Sequence, residues 1–189
     1  MMYATDSRGP ALVMRARNAV GAAFGALPVE VPDHPDLWLP GATFVTLHTA
    51  GLLHGCIGSL EATRSLAEDV QANAIAAAFH DPRFQPLTAR EFSNTRFEVS
   101  VLGPASPVAA ASEDEAIAAL VPHRDGVTLS WPDGRATLLP QVWASLPDPK
   151  DFLRALKRKG GLPADFWGPD LRLERYTVMH FDETPEAVA

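Results

Sequence analysis

Cys56 is the only cysteine of the chain and the first residue to consider for chemistry. Gly55 directly precedes it, Gly58 follows two residues later, and the apolar segment 44–47 leads in. Glycines permit a sharp turn or the close approach of another group, so the pattern predicts a loop at the end of a strand. A thiol there is either a presented reactive group or a small buried apolar one, and the residues leave both open.

A reactive thiol needs a nearby cation or a helix N-terminus. His54 lies two residues before Cys56, and in an extended segment the two side chains point to the same side. Arg83 is a second candidate cation, and it lies in the turn after the helix that is predicted to end at His80. Alternatively, Arg83 binds the last carbonyl groups of that helix. The candidate catalytic residues are therefore Cys56, His54 and Arg83. The candidate binding residues come from the same loop, the following turn and a strand-to-helix junction: Gly55, Gly58, Asp81 and Gln141.

Other chemistries lack their characteristic residues. There is no Cys-x-x-Cys or His-Glu-x-x-His motif, so the sequence predicts no metal site. There is also no Gly-x-Gly-x-x-Gly or Walker loop, which disfavours a nucleotide, and no cofactor can be named. His54, His80 and His123 are conceivable bases for a cysteine hydrolase, but none stands in such a signature.

Composition limits the possible partners. The 189 residues include 16 basic and 23 acidic side chains, for a net charge of −7, and 47% are hydrophobic. This is typical of a globular protein and unfavourable for sequence-independent binding of nucleic acid. No apolar run reaches the ~18 residues needed to cross a bilayer. A lone cysteine excludes an internal disulfide, which fits a reducing compartment, and we expect a cytoplasmic location.

Local signals place the elements of the first half. A helix is predicted from Pro10 to about Ala26, followed by a proline-rich connection without regular structure at 28–41 and a strand at 43–49. Ser65 with Glu68, and Thr88 with Glu91, form capping boxes that open a helix to His80 and a shorter one. Alternating apolar residues predict a strand at 97–102.

The second half begins with a linker at 103–112. Ser112 and Glu115 form a third capping box, and Asp133-Gly134 is the turn signal between strands at 127–131 and 135–139. A short helix at 140–146 and a helix capped by Asp148 follow, the latter ending in the basic run 157–159, which is typical of a solvated helix end. A single long strand is predicted at 171–181, and a frayed tail at 182–189.

Together these signals predict an α+β fold over residues 1–189, with mostly antiparallel strands. The chain also resembles the AMMECR family in a series of short motifs that occur in the family's order. The motifs are Gly55–Gly58, Glu68–Val70, Ala76–Phe79, Asp81–Phe84, Glu98–Leu102, Leu139–Trp143, Leu146–Pro149, Lys157–Lys159 and Gly161–Pro163. The resemblance runs roughly from Ala11 to Phe181. It departs at His54, where the family usually has arginine.

The resemblance implies a two-lobed structure of antiparallel β-sheets flanked by α-helices. AMMECR proteins of prokaryotes belong to the AmmeMemoRadiSam system, so the resemblance also implies Memo-like and radical-SAM proteins as partners in one pathway. Two function classes stay open. One is a catalytic or small-ligand-binding component that uses the Gly-Cys-Ile-Gly segment, and the other is a non-catalytic adaptor in which Cys56 is structural.

Overall fold

The computed structural model describes residues 8–183. Two short 3-10 helices, Pro35–Trp38 and Pro140–Ala144, accompany five α-helices and nine strands in that range. In chain order these are α1 (Arg8–Ala22), β1 (Pro40–Thr49), β2 (Leu52–Gly58), β3 (Arg64–Ser65), α2 (Leu66–Phe79), α3 (Ala89–Phe92), β4 (Thr95–Leu102), β5 (Ser106–Pro107), α4 (Glu113–Ala119), β6 (Gly126–Trp131), β7 (Gly134–Leu138), α5 (Pro149–Lys159), β8 (Arg172–Tyr176) and β9 (Val178–Asp182).

The chain forms two compact units. Unit 1 contains the residues up to Leu102 together with those from Met179 onward, and unit 2 is the continuous segment Gly103–Val178. Each unit has its own sheet, ordered β2-β1-β4-β9 in unit 1, with β3 also beside β1, and β5-β8-β6-β7 in unit 2. The predicted α+β class with two lobes and antiparallel sheets is confirmed.

Unit 1 buries one face of its sheet under two helices. The helix α2 packs on β1 and β2, while α1 packs on α2 and β4. Alternate residues of β1 and β4, among them Val45, Leu47 and Val99, are fully buried against Leu12 and Val70 of the helices. Because side chains alternate across a strand, the residues between them face the opposite side of the sheet. That outer face carries Thr46 and Cys56, as described below.

The predicted capping boxes at Ser65 and Thr88 are confirmed. The Ser65 hydroxyl accepts from the Glu68 amide at 3.3 Å, and the Glu68 carboxylate accepts from the Ser65 amide at 3.1 Å. At α4, Ser112 caps the helix as predicted, but the Glu115 carboxylate accepts from the amide of Ala111 instead of Ser112. These bonds involve only residues a few positions apart, which is why the sequence reveals them.

In unit 2, α5 packs against strand β7 of the sheet and α4 packs on α5. The predicted hairpin is present, with Trp131 of β6 paired with Gly134 of β7. Trp143 is fully buried, stacks on Phe152 at 3.8 Å between ring centres, and donates its indole N–H to the carbonyl oxygen of Asp125. Burial is the ordinary use of such a ring, and this tryptophan stabilises the core of unit 2.

Three predicted boundaries differ from the structure. The first helix spans Arg8–Ala22, because the chain turns after it and passes through Gly25 at φ +73°. The 3-10 helix Pro35–Trp38 lies within the proline-rich connection 28–41, and β1 begins at Pro40 because that residue pairs with Ser65 of β3. Among residues 8–183, no helix has the length and apolar character needed to cross a membrane.

The single strand predicted at 171–181 is wrong. It breaks at Thr177 into β8, which pairs with β6, and β9, which lies beside β4 in the other sheet. The predicted frayed tail begins too early, since Asp182 ends β9 and the Glu183 carboxylate accepts from Arg17 at 3.0 Å. The remainder of that tail, 184–189, lies outside the described residues.

Lys157 is also placed differently from the prediction of a solvated helix end. Its side chain is buried and donates to Glu113 at 2.8 Å and to the carbonyl oxygen of Phe166 at 3.3 Å. The reason is its spacing, because Lys157 lies four residues after Leu153 and so faces the core of unit 2. The helix then ends as predicted, with Gly161 at φ +78° and the Leu162 amide bonded back to the Lys157 carbonyl.

Candidate functional site

Cys56 lies within strand β2 rather than in a loop. The reversal of the chain comes earlier, at Ala50 and Gly51, whose φ values of +51° and +81° form a tight turn between β1 and β2. Cys56 then pairs directly with Thr46 of β1. The predicted loop is therefore wrong, because the turn is made by two residues that precede the Gly55–Gly58 segment.

The glycines around Cys56 allow close approach instead of a turn. A side chain at Gly55 would overlap the backbone carbonyl of Ala77 in α2, so glycine there lets the helix lie directly on the strand. A side chain at Gly58 would overlap the ring of Phe44, its partner across the strands. Of the two uses that the sequence allowed for these glycines, the structure shows close packing.

The Cys56 thiol occupies a defined place on the outer face. The residue is partly exposed, and its Sγ accepts a hydrogen bond from the Thr46 hydroxyl at 3.3 Å. Glu98 of β4 is paired with Thr46 on the next strand. The thiol therefore stands at one end of a polar row across β2, β1 and β4, away from the helices that cover the other face.

The backbone of Cys56 is held by the turn after α2. Asp81 accepts the Cys56 N–H at 2.9 Å, and Arg83 donates to the Cys56 carbonyl at 3.2 Å. The two side chains also bind each other, with Arg83 Nη2 at 2.7 Å and Nε at 3.0 Å from the Asp81 oxygens. We call Asp81 and Arg83 the edge clamp, because together they occupy the free edge of β2 at Cys56.

Charge and hydrogen bonding reinforce the edge clamp. The pKa of Asp81 lies well below its usual value, mainly because Arg83 donates to the carboxylate, with a further contribution from the Cys56 N–H, while burial opposes the shift. The pKa of Arg83 is raised, mainly by its bond to Asp81, while burial opposes the shift. Both charged forms are therefore favoured in the folded chain.

His54 does not stand in the regular alternation that was expected to align its side chain with that of Cys56. Leu47 pairs with Gly55 but His48 pairs with Leu53, so His54 is the extra residue of a bulge that interrupts the alternation of side chains. Its ring stacks on Phe84, with 6.2 Å between ring centres. The Nε2 atom of His54 is buried and has no hydrogen-bond partner within residues 8–183.

The other candidates separate into two groups. Asp81, Arg83, Gly55 and Gly58 surround Cys56 in unit 1. Gln141 belongs to unit 2, where it is exposed in the 3-10 helix Pro140–Ala144.

Two polar clusters of unit 1 were not predicted. Asp69 is fully buried and accepts from Thr43, Ser59, Arg64 and Asn73 at 2.7–2.9 Å, which joins α2 to β1. The only signal for it in the sequence is that Asp69 and Asn73 lie four residues apart beside the apolar stripe of α2.

The second cluster lies on the outer face. His180 Nδ1 is 2.9 Å from the Ser100 hydroxyl and 3.5 Å from Glu98 Oε1. In a serine hydrolase the nucleophilic serine and the carboxylate lie at opposite nitrogens of the histidine ring, whereas here both Ser100 and Glu98 lie at Nδ1. The trio therefore does not form a proton relay. Within the part of the chain that the structure describes, no three His, Cys, Asp or Glu side chains are arranged to hold a metal ion.

Comparison with known proteins adds the family to this geometry. A family model described as AMMECR1 matches residues 13–181. The chain belongs to the AMMECR1 family. It is 36% identical to a protein of Methanothermobacter thermautotrophicus over 97% of this chain and 99% of the relative. A protein of Thermofilum pendens is also 36% identical, over 93% of this chain and 90% of the relative.

A solved structure of similar fold comes from Pyrococcus horikoshii. The crystal structure of the uncharacterized protein PH0010 matches with a TM-score of 0.80 and 32% identity, covering 93% of this chain and 91% of that one. Family and fold therefore agree with the resemblance to the AMMECR family.

Proposed function

We propose that this AMMECR1 protein is a catalytic or small-ligand-binding component in which Cys56 contacts the ligand. One observation carries the proposal: Cys56 is partly exposed, and both of its backbone polar groups are bound by the edge clamp. With its backbone held in this way and its Sγ bonded to the Thr46 hydroxyl at 3.3 Å, Cys56 needs little further ordering on binding. Such preorganisation favours both tight binding and nucleophilic attack.

The proposal gives Arg83 a different role from His54. Arg83 Nη2 lies 3.2 Å from the carbonyl oxygen of Cys56 and is also paired with the Asp81 carboxylate at 2.7 Å, so the guanidinium beside Cys56 is partly neutralised. The ring of His54 stacks on Phe84. The bulge at His54 interrupts the alternation of side chains that would have aligned this ring with the thiol. Arg83 is thus the proposed cation that stabilises a thiolate or an anionic group of the ligand.

Alkylation of the folded protein tests the reactive thiol. Cys56 should react with iodoacetamide near neutral pH at least as fast as an unperturbed cysteine peptide, as followed by intact-mass measurement. Arg83→Gln should slow the reaction, whereas His54→Ala and the exposed control Arg90→Gln should leave it nearly unchanged. Slow alkylation in the folded state, together with a loss of about 1–3 kcal/mol of stability in Cys56→Ser, would instead make Cys56 a structural residue.

The proposed pathway includes Memo-like and radical-SAM proteins, and the proposed location is the cytoplasm. The family resemblance supports the pathway, and the single cysteine, which suits a reducing compartment, supports the cytoplasmic location. Activity assays with the radical-SAM partner, comparing the natural chain with Cys56→Ser, test the pathway. We expect the serine variant to lose activity while its thermal unfolding stays close to that of the natural chain.

A second candidate is an adaptor that binds a protein partner. Two leucines at the turn end of β2 favour it, since Leu52 and Leu53 are 75% and 43% exposed on the same strand as Cys56. Replacing Leu52 with aspartate should abolish an adaptor's interaction and spare the alkylation of Cys56. In the catalytic or ligand-binding case, Cys56→Ser should be the variant that loses function.

A further inference from the structure

Lys157 of unit 2 is a buried cation that the Cys56 site does not use. It is 1% exposed, and its ammonium group donates to Glu113 at 2.8 Å and to the Phe166 carbonyl at 3.3 Å. Buried ion pairs are costly to desolvate, and apolar residues of similar volume often stabilise a fold as well or better. Packing alone therefore gives little reason for a lysine here.

A cavity of about 330 Å³ opens beside this pair. Glu113 of α4 lies on one wall, Lys150 and Arg154 of α5 on another, and Asp165 on a third together with Ala164. Lys150 and Arg154 are four residues apart, so they project from the same side of the helix. Lys157 binds both Glu113 and the backbone of Phe166, which adjoins Asp165, and thereby fixes two of the walls.

The charges around the cavity balance. The cations that line it are Lys150 and Arg154, and the lining carboxylates are Glu113 and Asp165, which gives zero net charge. Their neighbours outside the lining also balance, because Lys157 pairs with Glu113 at 2.8 Å and Asp151 pairs with Arg154 at 3.4 Å. Carboxylates would repel a simple anion and the cations would repel a simple amine. A molecule that carries both charges meets a partner for each.

We infer that this cavity of unit 2 binds a small zwitterion of the amino-acid class. The ligand's carboxylate contacts Lys150 and Arg154, and its ammonium group contacts Glu113 and Asp165. The cavity lies within the lower range of small-molecule sites, which suits a ligand of this size. The inference goes beyond the proposed function, because it uses unit 2 residues alone and makes no use of Cys56.

Matched ligands test the charge requirement. The full chain is screened with each of the twenty protein amino acids by calorimetry at millimolar concentration, and any that bind are compared with their analogues lacking either charge. For leucine these analogues are 4-methylpentanoate and 3-methylbutylamine. We expect at least one amino acid to bind roughly tenfold or more tightly than both of its analogues, because each charged contact contributes on this scale.

Substitutions then locate the site. Lys150→Met should weaken binding of that amino acid roughly tenfold, while Arg158→Met, on an exposed residue of α5 that does not line the cavity, should leave it unchanged. The inference is overturned if no amino acid binds more tightly than its singly charged analogues. It is equally overturned if Lys150→Met and Arg158→Met bind alike. Either failure leaves the role of Cys56 unaffected, since alkylation of that thiol is measured separately.

Discussion

Asp81 serves two partners with one carboxylate, the Arg83 guanidinium and the Cys56 amide. Its lowered pKa means that the fold favours the charged form, so its contribution to stability is present above the ordinary value of 3.8 and is lost as pH falls below it. We expect Asp81→Asn to lower the free energy of unfolding by about 1–3 kcal/mol at pH 7. Urea denaturation should show this difference shrinking at pH 3. A difference of equal size at both pH values would contradict the charged edge clamp.

Lys157 provides the second prediction for a single residue. Lys157→Met leaves the Glu113 carboxylate without its partner at 2.8 Å. We expect the free energy of unfolding to fall by about 1–3 kcal/mol. Breaking a fully buried ion pair would cost more, but the Glu113 side chain is 23% exposed. Adding Glu113→Leu removes the unpaired charge and should recover most of the loss. A double variant less stable than Lys157→Met alone would show that Glu113 stabilises unit 2 without the lysine.

What the sequence reveals about single residues depends on distance along the chain. The caps at Ser65, Thr88 and Asp148 were predictable because each binds an amide only two or three residues away. The contact of Arg83 with Cys56 spans 27 positions, and it was only a possibility until the fold joined the two. The burial of Lys157 was missed because basic residues at a helix end ordinarily face solvent.

At the scale of elements, Gly55 sets the distance between β2 and α2. Gly55→Ala would press a methyl group onto the carbonyl of Ala77, a backbone atom that cannot rotate away, and should cost about 1–3 kcal/mol. Amide chemical shifts around Ala77 should move. The control is Gly51→Ala, which has no neighbouring atoms within reach and strains only the turn at φ +81°. Unchanged shifts at Ala77 in the Gly55 variant would contradict close packing as the purpose of this glycine.

Elements with local signals were largely predictable, and those defined by pairing were not. Helix α2 and the β6–β7 hairpin follow from caps, spacing and a turn signal. The apolar pattern of 171–181 would be the same for one strand or for two. The segment is divided at Thr177 because β8 pairs with β6 in one sheet and β9 lies beside β4 in the other. The bulge at His54 is likewise decided by the register with β1, which no short stretch encodes.

For the whole molecule, the net charge of −7 governs contact with polyanions. We expect no salt-sensitive binding to duplex DNA at physiological ionic strength, because few phosphates would be neutralised on an acidic surface. Fluorescence anisotropy with a labelled duplex at two salt concentrations measures this. Micromolar affinity that falls steeply with added salt would contradict the prediction.

The order of the strands also fixes an order of events during synthesis. Strand β4 ends at Leu102, its neighbour β9 begins at Val178, and the whole of unit 2 lies between them. A ribosome releases the chain from its N-terminus, so unit 2 is complete before the last strand of unit 1 has been made. Until then β4 carries an open edge, the kind of surface that pairs with other chains. The N-terminal unit of this protein is thus the last whose strands are all synthesised, and a translational pause near Val178 would leave the edge of β4 open to mispairing.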